Sequence, residues 1–200
     1  MQPFTTLKAP AIPLPMANID TDQIIPARYL GLPRAEQVEG MFRDQRYHED
    51  GRPKPDFPFN QAGYKGARIV VAGRNFACGS SREHAVTVMF DNGFRAFIAP
   101  SFGDIFRNNC YQNGCVPVVL PEPRVDELLR FLLELPGAEI SVDLEQQTVI
   151  GPDGKTDRFD IDSFRKECLL KGQDDVELTL AYAPQIADFE ARQKAEIGWL

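Results

Sequence analysis

The chemistry that this sequence can perform centres on one hexapeptide, Gly79-Ser-Ser-Arg-Glu-His84. The forked guanidinium of Arg82 can bind a carboxylate through two hydrogen bonds, so a di- or tricarboxylic acid would fit here. A serine hydroxyl is a weak base on its own. Ser80 therefore needs surrounding positive charge, which would stabilise the alkoxide that takes a proton next to a carboxylate.

The same hexapeptide also has a structural interpretation. Ser80 and Glu83 have the Ser-x-x-Glu spacing of a capping box, so the motif can simply begin a helix. Both interpretations place a helix N-terminus here, whose unpaired amides and positive dipole end attract anions. His84 lies on the predicted first turn and is a supporting candidate, because no Gly-x-Ser-x-Gly elbow or hydrolase-like spacing accompanies it.

A second polar cluster, Asn18-Ile-Asp-Thr-Asp-Gln-Ile-Ile-Pro26, lies near the N-terminus. Its residues Asp20, Thr21 and Asp22 can form a turn with an Asx-type cap. Two carboxylates this close can also orient a neighbouring histidine or arginine, which would make the cluster a support for an active site. Both interpretations remain open from these residues alone.

The pattern of apolar residues indicates which elements position the hexapeptide. Three strands and two intervening helices are predicted, at residues 68–73, 80–91, 95–99, 101–113 and 116–120. Ser101 is the predicted N-cap of the second helix. This alternation predicts an α/β fold with a parallel-sheet core, whose ligands tend to bind at the carboxyl ends of the strands. The hexapeptide begins at such a strand end.

The rest of the chain is predicted to add further elements to this core. They are a helix at residues 123–135, two strands within 138–150, a turn at 152–154, a helix at 162–171 that is capped at Asp162 and ends at Gly172, a strand at 176–182 and a terminal helix at 183–197. Residues 31–66 are rich in proline, glycine and charge and predict a long irregular segment. We expect residues 1–200 to form a single domain.

Composition limits the possible partners. A net charge of −7 would repel phosphate backbones, so nucleic acid is not an expected partner. No apolar stretch approaches the roughly 20 residues of a membrane helix, and residues 1–15 lack the features of a signal peptide. We therefore expect no membrane association and a cytoplasmic location.

The four cysteines, Cys78, Cys110, Cys115 and Cys168, form no Cys-x-x-Cys pair. Their spacing predicts reduced, mostly buried thiols rather than a disulfide framework or a zinc site. Iron–sulfur cubanes are usually held by several closely spaced thiolates. We therefore expect this chain to bind no metal or cluster by itself.

Three segments taken together resemble one known family. Residues 18–26, 75–85 and 99–106 match, in order and spacing, the small subunits of 3-isopropylmalate dehydratase, which belong to the aconitase superfamily. The Gly-Ser-Ser-Arg-Glu-His core is shared with the mobile swivelling domain of aconitase. The resemblance continues through residues 161–172 and 175–180, and so covers nearly the whole chain.

This resemblance implies an α/β, aconitase-type swivelling β/β/α domain with a parallel-sheet core and extra C-terminal strands and helices. Such a domain docks on a separate large subunit that carries a 4Fe-4S cluster. The implied reaction is the isomerisation of 2-isopropylmalate to 3-isopropylmalate through 2-isopropylmaleate, in leucine biosynthesis. The open iron of the cluster would act as a Lewis acid on the departing hydroxyl.

The resemblance also implies roles for individual residues. Ser80 is the implied base, while Ser81 and Arg82 bind a substrate carboxylate. Asp20, Thr21 and Asp22 border the site as supporting residues. Capping and catalysis are compatible at Ser80, because a serine held at a helix start is also held in position.

Substrate choice in this superfamily is associated with the loop at residues 28–34. Leu30 and Leu32 are expected to face an isopropyl group, whereas Arg34 would favour a third carboxylate if it pointed into the site. Citraconate, dimethylmalate and homoaconitate hydro-lyases are therefore alternatives. A carboxylate-binding module without catalysis, or a subunit that only clamps the large chain, is a further alternative.

Overall fold

A computed structural model describes residues 1–197 of the chain. Its strands are β1 (Thr6–Leu14), β2 (Ile69–Ala72), β3 (Ala96–Ala99), β4 (Val116–Val119), β5 (Glu139–Asp143), β6 (Thr148–Ile150) and β7 (Thr156–Arg158). They form one sheet in the order β4-β3-β2-β1-β5-β6-β7. Strands β1 to β4 pair in parallel, and β5 to β7 pair antiparallel. The predicted parallel core with extra C-terminal strands is confirmed.

Strand β1 was not predicted, although it lies at the centre of the sheet. It contains Pro10 and Pro13, and a proline cannot donate to a ladder. Its first half pairs with β5 over residues 6–10, and its second half pairs with β2 over residues 11–14. Each half therefore makes named pairs on one side only, which is how a central strand tolerates two prolines.

The helices that the structure describes within residues 1–197 are mostly short. They are α1 (Thr21–Ile24), α2 (Arg34–Gln37), α3 (Arg43–Arg46), α4 (His84–Asp91), α5 (Asp104–Gln112), α6 (Glu122–Glu134), α7 (Ser163–Lys171), α8 (Asp175–Leu180) and α9 (Ala183–Glu196). None of these helices combines the length and apolarity that crossing a bilayer requires.

Alternate residues of the parallel strands face two separate hydrophobic cores. Val70 and Phe97 pack with the buried face of α4, in the first core. Ile69 and Ile98 pack with the buried face of α6, in the second core. Full burial of one such side chain contributes about 1.5–3 kcal/mol. Helices α4 and α6 therefore cover opposite faces of the sheet.

Most of the predicted C-terminal elements are confirmed. Helix α7 begins at the predicted cap, where Asp162 accepts from the Arg165 amide, and it ends at Gly172 with φ 68°. The strand predicted at residues 176–182 is wrong, because these residues contain α8. The Asp174 carboxylate accepts from two amides of the first turn and forms a capping box with Glu177. This cap outweighs the alternating apolar pattern that predicted a strand.

The irregular segment 31–66 contains only short helical turns within the described residues. Besides α2 and α3 they are 3-10 turns at Val38–Gly40, Pro58–Asn60 and Ala62–Tyr64. Phe42 is fully buried, and its ring packs 4.9 Å from the ring of Phe59, which lies 5.4 Å from Phe94. Aromatic side chains therefore attach this segment to the first core.

Candidate active site

Three strand-end loops meet at the carboxyl edge of the parallel strands. The Thr21 amide, after β1, donates to the Cys78 carbonyl after β2 at 2.9 Å. The Phe76 amide, in turn, donates to the Ser101 carbonyl after β3 at 3.0 Å. The parallel ladder thus continues beyond the strands, and it fixes the backbone that leads to Ser80.

Glycines permit this close approach of the loops. A Cβ atom on Gly73 would lie 2.5 Å from the Met16 carbonyl oxygen, and one on Gly103 would collide with the Ala77 carbonyl oxygen. Ala77 and Asn75 have φ values of 57° and 58°, in the left-handed region that costs a residue with a side chain free energy. Strain of this kind persists only where the surrounding contacts hold the backbone in place.

Ser80 and Ser81 are exposed on this edge. The chain turns at Gly79, where φ is 91°, and the Thr21 hydroxyl donates to the Ser80 carbonyl at 3.0 Å. Both hydroxyls are therefore presented to solvent from a backbone that two loops hold. This is the arrangement that a reactive serine needs.

The predicted capping role of Ser80 is wrong. Helix α4 begins at His84, Glu83 is its N-cap, and no side chain caps it. Because the Ser80 carbonyl is bonded to Thr21, the chain from Ser80 to Arg82 follows the loop and does not enter the helix. The first helical turn therefore begins at His84, after the Ser80-Ser81-Arg82 segment.

The predicted capping role of Ser101 is wrong for the same physical reason. Helix α5 begins at Asp104, and its N-cap is Gly103, which has no side chain to cap with. The Ser101 hydroxyl instead accepts from the Asn75 amide at 2.8 Å. A serine oxygen can bond either a helix amide or a loop amide, and here it bonds the loop.

Both interpretations of the N-terminal cluster are supported by the geometry. Asp20 caps α1, because its carboxylate accepts from the Gln23 amide at 2.7 Å while the Gln23 side chain accepts from the Asp20 amide at 3.0 Å. Thr21 contacts Ser80, and Asp22 contacts Arg82. The cap therefore positions the side chains of Thr21 and Asp22 so that they contact the hexapeptide.

Arg82 is the cation of the site, and its side chain is only 15% exposed. Its Nη1 donates to Asp22 and, at 3.3 Å, to the Ile25 carbonyl. Among residues 1–197, no acceptor bonds its Nε or Nη2, and neither atom is buried without a partner. The guanidinium is therefore fixed on one side and keeps donors available to a ligand. No pattern in the sequence predicts the contact with the Ile25 carbonyl.

His84 starts α4 and is half-buried. Its neighbour Glu83 accepts from the Asn113 side chain at 3.0 Å, which joins the hexapeptide to the end of α5. A cavity of about 230 Å³ opens here, and it is lined by Arg34, Gln37, Glu83, His84, Thr87 and Asn113. His84 thus borders an open pocket next to the serines.

The predicted substrate loop is held by a residue that sequence reasoning missed. The buried Gln37 side chain donates to the Leu32 carbonyl at 2.8 Å and to the Leu30 carbonyl at 3.5 Å. Leu32 is exposed, and Leu30 packs partly against the first core. Because Gln37 lies among charged residues in the sequence, no local pattern indicates its burial or this role.

The Arg34 guanidinium, at the end of the predicted substrate loop, is bonded to Asp91. Its Nε and Nη2 bond both oxygens of Asp91, at 2.7 and 2.9 Å. The Asp91 carboxylate raises the pKa of Arg34. The Arg34 side chain is 60% exposed, so this pair is a surface salt bridge that engages two of its donor nitrogens.

The cysteines do not form a cluster site within the described residues. Cys110, Cys115 and Cys168 are buried, Cys78 is half-buried, and all four are free thiols, as predicted. Burial raises the pKa of Cys115 to about 12 and that of Cys110 well above its ordinary value. Residues 1–197 contain no group of three or more histidine, cysteine or acidic side chains placed to hold a metal ion.

Comparison with known proteins agrees with this geometry. Residues 1–123 match the family described as the Aconitase C-terminal domain, and residues 126–163 match LeuD_N. The 3-isopropylmalate dehydratase small subunit of Paramagnetospirillum magneticum is 48% identical over all of both chains. That of Rhodospirillum centenum is also 48% identical, over 100% of this chain and 98% of its own.

A solved structure has the same fold. The crystal structure of 3-isopropylmalate dehydratase (leuD) from Methanocaldococcus jannaschii superposes with a TM-score of 0.66 at 26% identity, over 92% of this chain and 99% of its own. The full-length matches and the Aconitase C-terminal domain match agree with each other. The chain belongs to the family of 3-isopropylmalate dehydratase small subunits.

Proposed function

We propose that this chain is the small subunit of a two-chain hydro-lyase that isomerises 2-isopropylmalate to 3-isopropylmalate through 2-isopropylmaleate, in leucine biosynthesis. The observation that carries this proposal is the pair of exposed serines, Ser80 and Ser81, beside the largely buried Arg82. Hydrogen bonds join this loop to the two neighbouring loops. The family name of the relatives supports the reaction. The exposure of the loop supports an active site that is completed by another chain.

Ser80 is the proposed base. As an alkoxide, its Oγ takes the proton from the carbon next to a substrate carboxylate. The hydroxyl on the adjacent carbon leaves as water with a second proton, which an acid of the assembled site donates and takes back when water adds again. The proton then returns to the substrate, and water adds at the neighbouring carbon. The Thr21 contact holds the Ser80 backbone still during both steps.

Arg82 and Ser81 are the proposed carboxylate binders. The free Nε and Nη2 of Arg82 face outward, while Asp22 and the Ile25 carbonyl hold Nη1 in place. Charge that develops on the carboxylate during proton removal is stabilised most by donors fixed in advance. Asp20, Thr21, Asp22 and His84 have supporting roles.

Leu30 and Leu32 are the proposed contacts of the isopropyl group. The Gln37 bonds to their carbonyls give this loop a fixed backbone, and Arg34 is engaged by Asp91. An apolar loop without a free arginine favours an isopropyl group over a third carboxylate. Citraconate and dimethylmalate stay as alternative substrates.

The departing hydroxyl needs a Lewis acid, which a 4Fe-4S cluster with an open iron supplies when bound. The thiols of this chain do not fit such a cluster, so we assign it to the large subunit. The proposal also includes a cytoplasmic location and a single domain over residues 1–200. The last three of those residues lie outside the described part of the chain.

The test is turnover of 2-isopropylmalate, citraconate, dimethylmalate and homoaconitate by this chain alone and after mixing with its anaerobically reconstituted large subunit. We expect activity only in the mixture, and the highest kcat/KM for 2-isopropylmalate. A preference for another acid would keep the mechanism and change the substrate. A complex that turns over none of the acids would refute the proposed function.

A further inference from the structure

The C-terminal helix α9 is held by little of the chain. It contains 14 residues, none of which is buried. An isolated helix of this length is marginally stable in water, and most helical stability in proteins comes from packing an apolar face. A helix of this kind needs a packing surface that residues 1–197 do not provide.

Helix α9 and the preceding α8 each expose apolar side chains, and we call these residues together the stripe. Tyr182, Ile186 and Phe189 are spaced i, i+4 and i+7, so they share a helical face, and Tyr182 and Phe189 are 62% and 57% exposed. Val176 and Leu180 add an exposed i, i+4 pair on α8. Exposed apolar surface of this extent is typical of an interaction site.

Polar contacts connect this stripe to the active-site edge. The Gln112 side chain, at the end of α5, donates to Asp175 of α8 at 3.1 Å. The next residue, Asn113, donates to Glu83 of the hexapeptide at 3.0 Å. Two hydrogen bonds through the end of α5 therefore link α8 to the hexapeptide.

Charge argues against a second copy of this chain as the occupant. Residues 174–196 contain six acidic and two basic side chains, and the whole chain has a net charge of −7. Two copies that met through this segment would bring like charges together. A partner with an apolar contact face and a basic rim fits the stripe better.

We propose that the exposed stripe of α8 and α9 is the surface on which the large subunit docks. This inference rests on the proposed function, because the large subunit is a partner only if that function is correct. The stripe anchors the large subunit beside Glu83, so the docked chain covers Ser80 and Arg82. Helix α9 gains its packing surface only in the complex.

The test compares Phe189→Asp and Leu180→Asp with the control Leu133→Asp. Leu133 is 49% exposed on α6, which covers the opposite face of the sheet from α4. We expect each stripe variant to raise the Kd for the purified large subunit at least about thirtyfold, and the control to change it less than about twofold. Because all three side chains are exposed, thermal unfolding of the isolated chain should not change.

Hydrogen exchange gives a second measurement that needs no variant. Amides of residues 183–196 should exchange rapidly in the isolated chain and become protected in the complex. Rapid exchange in the complex, with unchanged Kd for both stripe variants, would overturn the docking surface. Concentration-dependent dimerisation of the isolated chain that Phe189→Asp abolishes would assign the stripe to a second copy and overturn it as well.

Turnover separates this inference from the proposed function. A mixture that turns over 2-isopropylmalate while the stripe variants bind normally would refute only the docking surface. Loss of binding in the stripe variants, with no turnover by a complex of the unchanged chain, would refute only the proposed function. Absence of any complex would refute both.

Discussion

Arg124 and Arg82 differ in how many of their donor nitrogens bond other residues. Arg124, on α6, is 8% exposed, and all of its donor nitrogens are used. Its Nε bonds Asp157 at 2.7 Å, Nη2 bonds Asp153 at 2.9 Å, and Nη1 bonds Asp153 and Glu127 at 2.8 and 3.0 Å. Arg82, by contrast, uses Nη1 alone among the described residues.

Every donor nitrogen of Arg124 is bonded, which makes it a structural residue, whereas the donors of Arg82 without a partner among residues 1–197 support its proposed role in carboxylate binding. The carboxylates around Arg124 raise its pKa and close its guanidinium to other partners. At Arg82, a single carboxylate bonds Nη1, and no acceptor among residues 1–197 bonds Nε or Nη2. Four substitutions test this difference between the two arginines and the contacts around them.

Arg82→Lys should have the largest effect, on turnover. Lysine keeps the charge but cannot bond Asp22 and a substrate carboxylate through one rigid fork. We expect kcat/KM of the assembled enzyme to fall about a thousandfold, roughly 4 kcal/mol. Arg52→Lys, in an exposed pair with Asp50, is the control and should leave turnover unchanged. A small loss in both variants would contradict the role of Arg82.

Arg124→Met should act on stability instead. It leaves Asp153 and Asp157 without their cation, and breaking a buried pair in this way costs about 3 kcal/mol. Urea unfolding of the isolated chain measures this loss. The kcat of the assembled enzyme at a temperature where the variant is folded should not change, and a large fall in kcat would contradict the division between the two arginines.

Asp153→Asn should destabilise the chain by about 2 kcal/mol at pH 7, because it weakens charged hydrogen bonds to Arg124. The Arg124 side chain lowers the pKa of Asp153 in the folded chain. The stabilisation is therefore fully present above the unfolded pKa of about 3.9, and it is lost as the pH falls through the folded value. Urea unfolding should show the difference from the unchanged chain shrinking below about pH 4; an equal difference at pH 7 and pH 3 would rule out this origin.

Thr21→Val should have the smallest effect, and it tests whether the Thr21 hydroxyl helps to hold the Ser80 loop. It removes the hydroxyl that donates to the Ser80 carbonyl and keeps the shape of the buried side chain. We expect kcat to fall about tenfold and the stability of the isolated chain to fall about 1 kcal/mol. Thr21→Ser should restore both, and unchanged kcat in the valine variant would show that the ladder alone holds the loop.

Much of the fold could be predicted from local signals that agree with one another. The buried runs of β2, β3 and β4 are β-branched or apolar and end near glycine or proline, so their assignment was secure. The cap at Asp162 and the glycine at Gly172 bounded α7 correctly. In these elements, sequence and tertiary context favour the same structure.

The wrong predictions share one physical cause. Each group pairs with a distant segment of the chain and not with the local partner that its spacing suggests. Ser80 and Ser101 are predicted helix caps. In the structure, the Ser80 carbonyl accepts from the Thr21 hydroxyl, and the Ser101 hydroxyl accepts from the Asn75 amide. The prolines of β1 hid a strand whose halves pair with different neighbours. Spacing within one segment cannot reveal which distant segment will provide the partner.

The candidate site was predicted in its residues and only partly in its geometry. The structure brings Thr21, Asp22, Ser80 and Arg82 together as expected. The helix N-terminus expected beneath Ser80 lies four residues later, at His84. The roles of Gln37 and the Ile25 carbonyl depend on how loops fold against one another, which local patterns do not encode.

The central claim is that Ser80 moves the proton. The most direct measurement is turnover of 2-isopropylmalate by the complex of the Ser80→Ala chain with the large subunit, together with the Kd of that complex. We expect kcat to fall at least about a thousandfold while the Kd does not change. Retained turnover in a fully formed complex would contradict the claim and leave this chain a binding or clamping role.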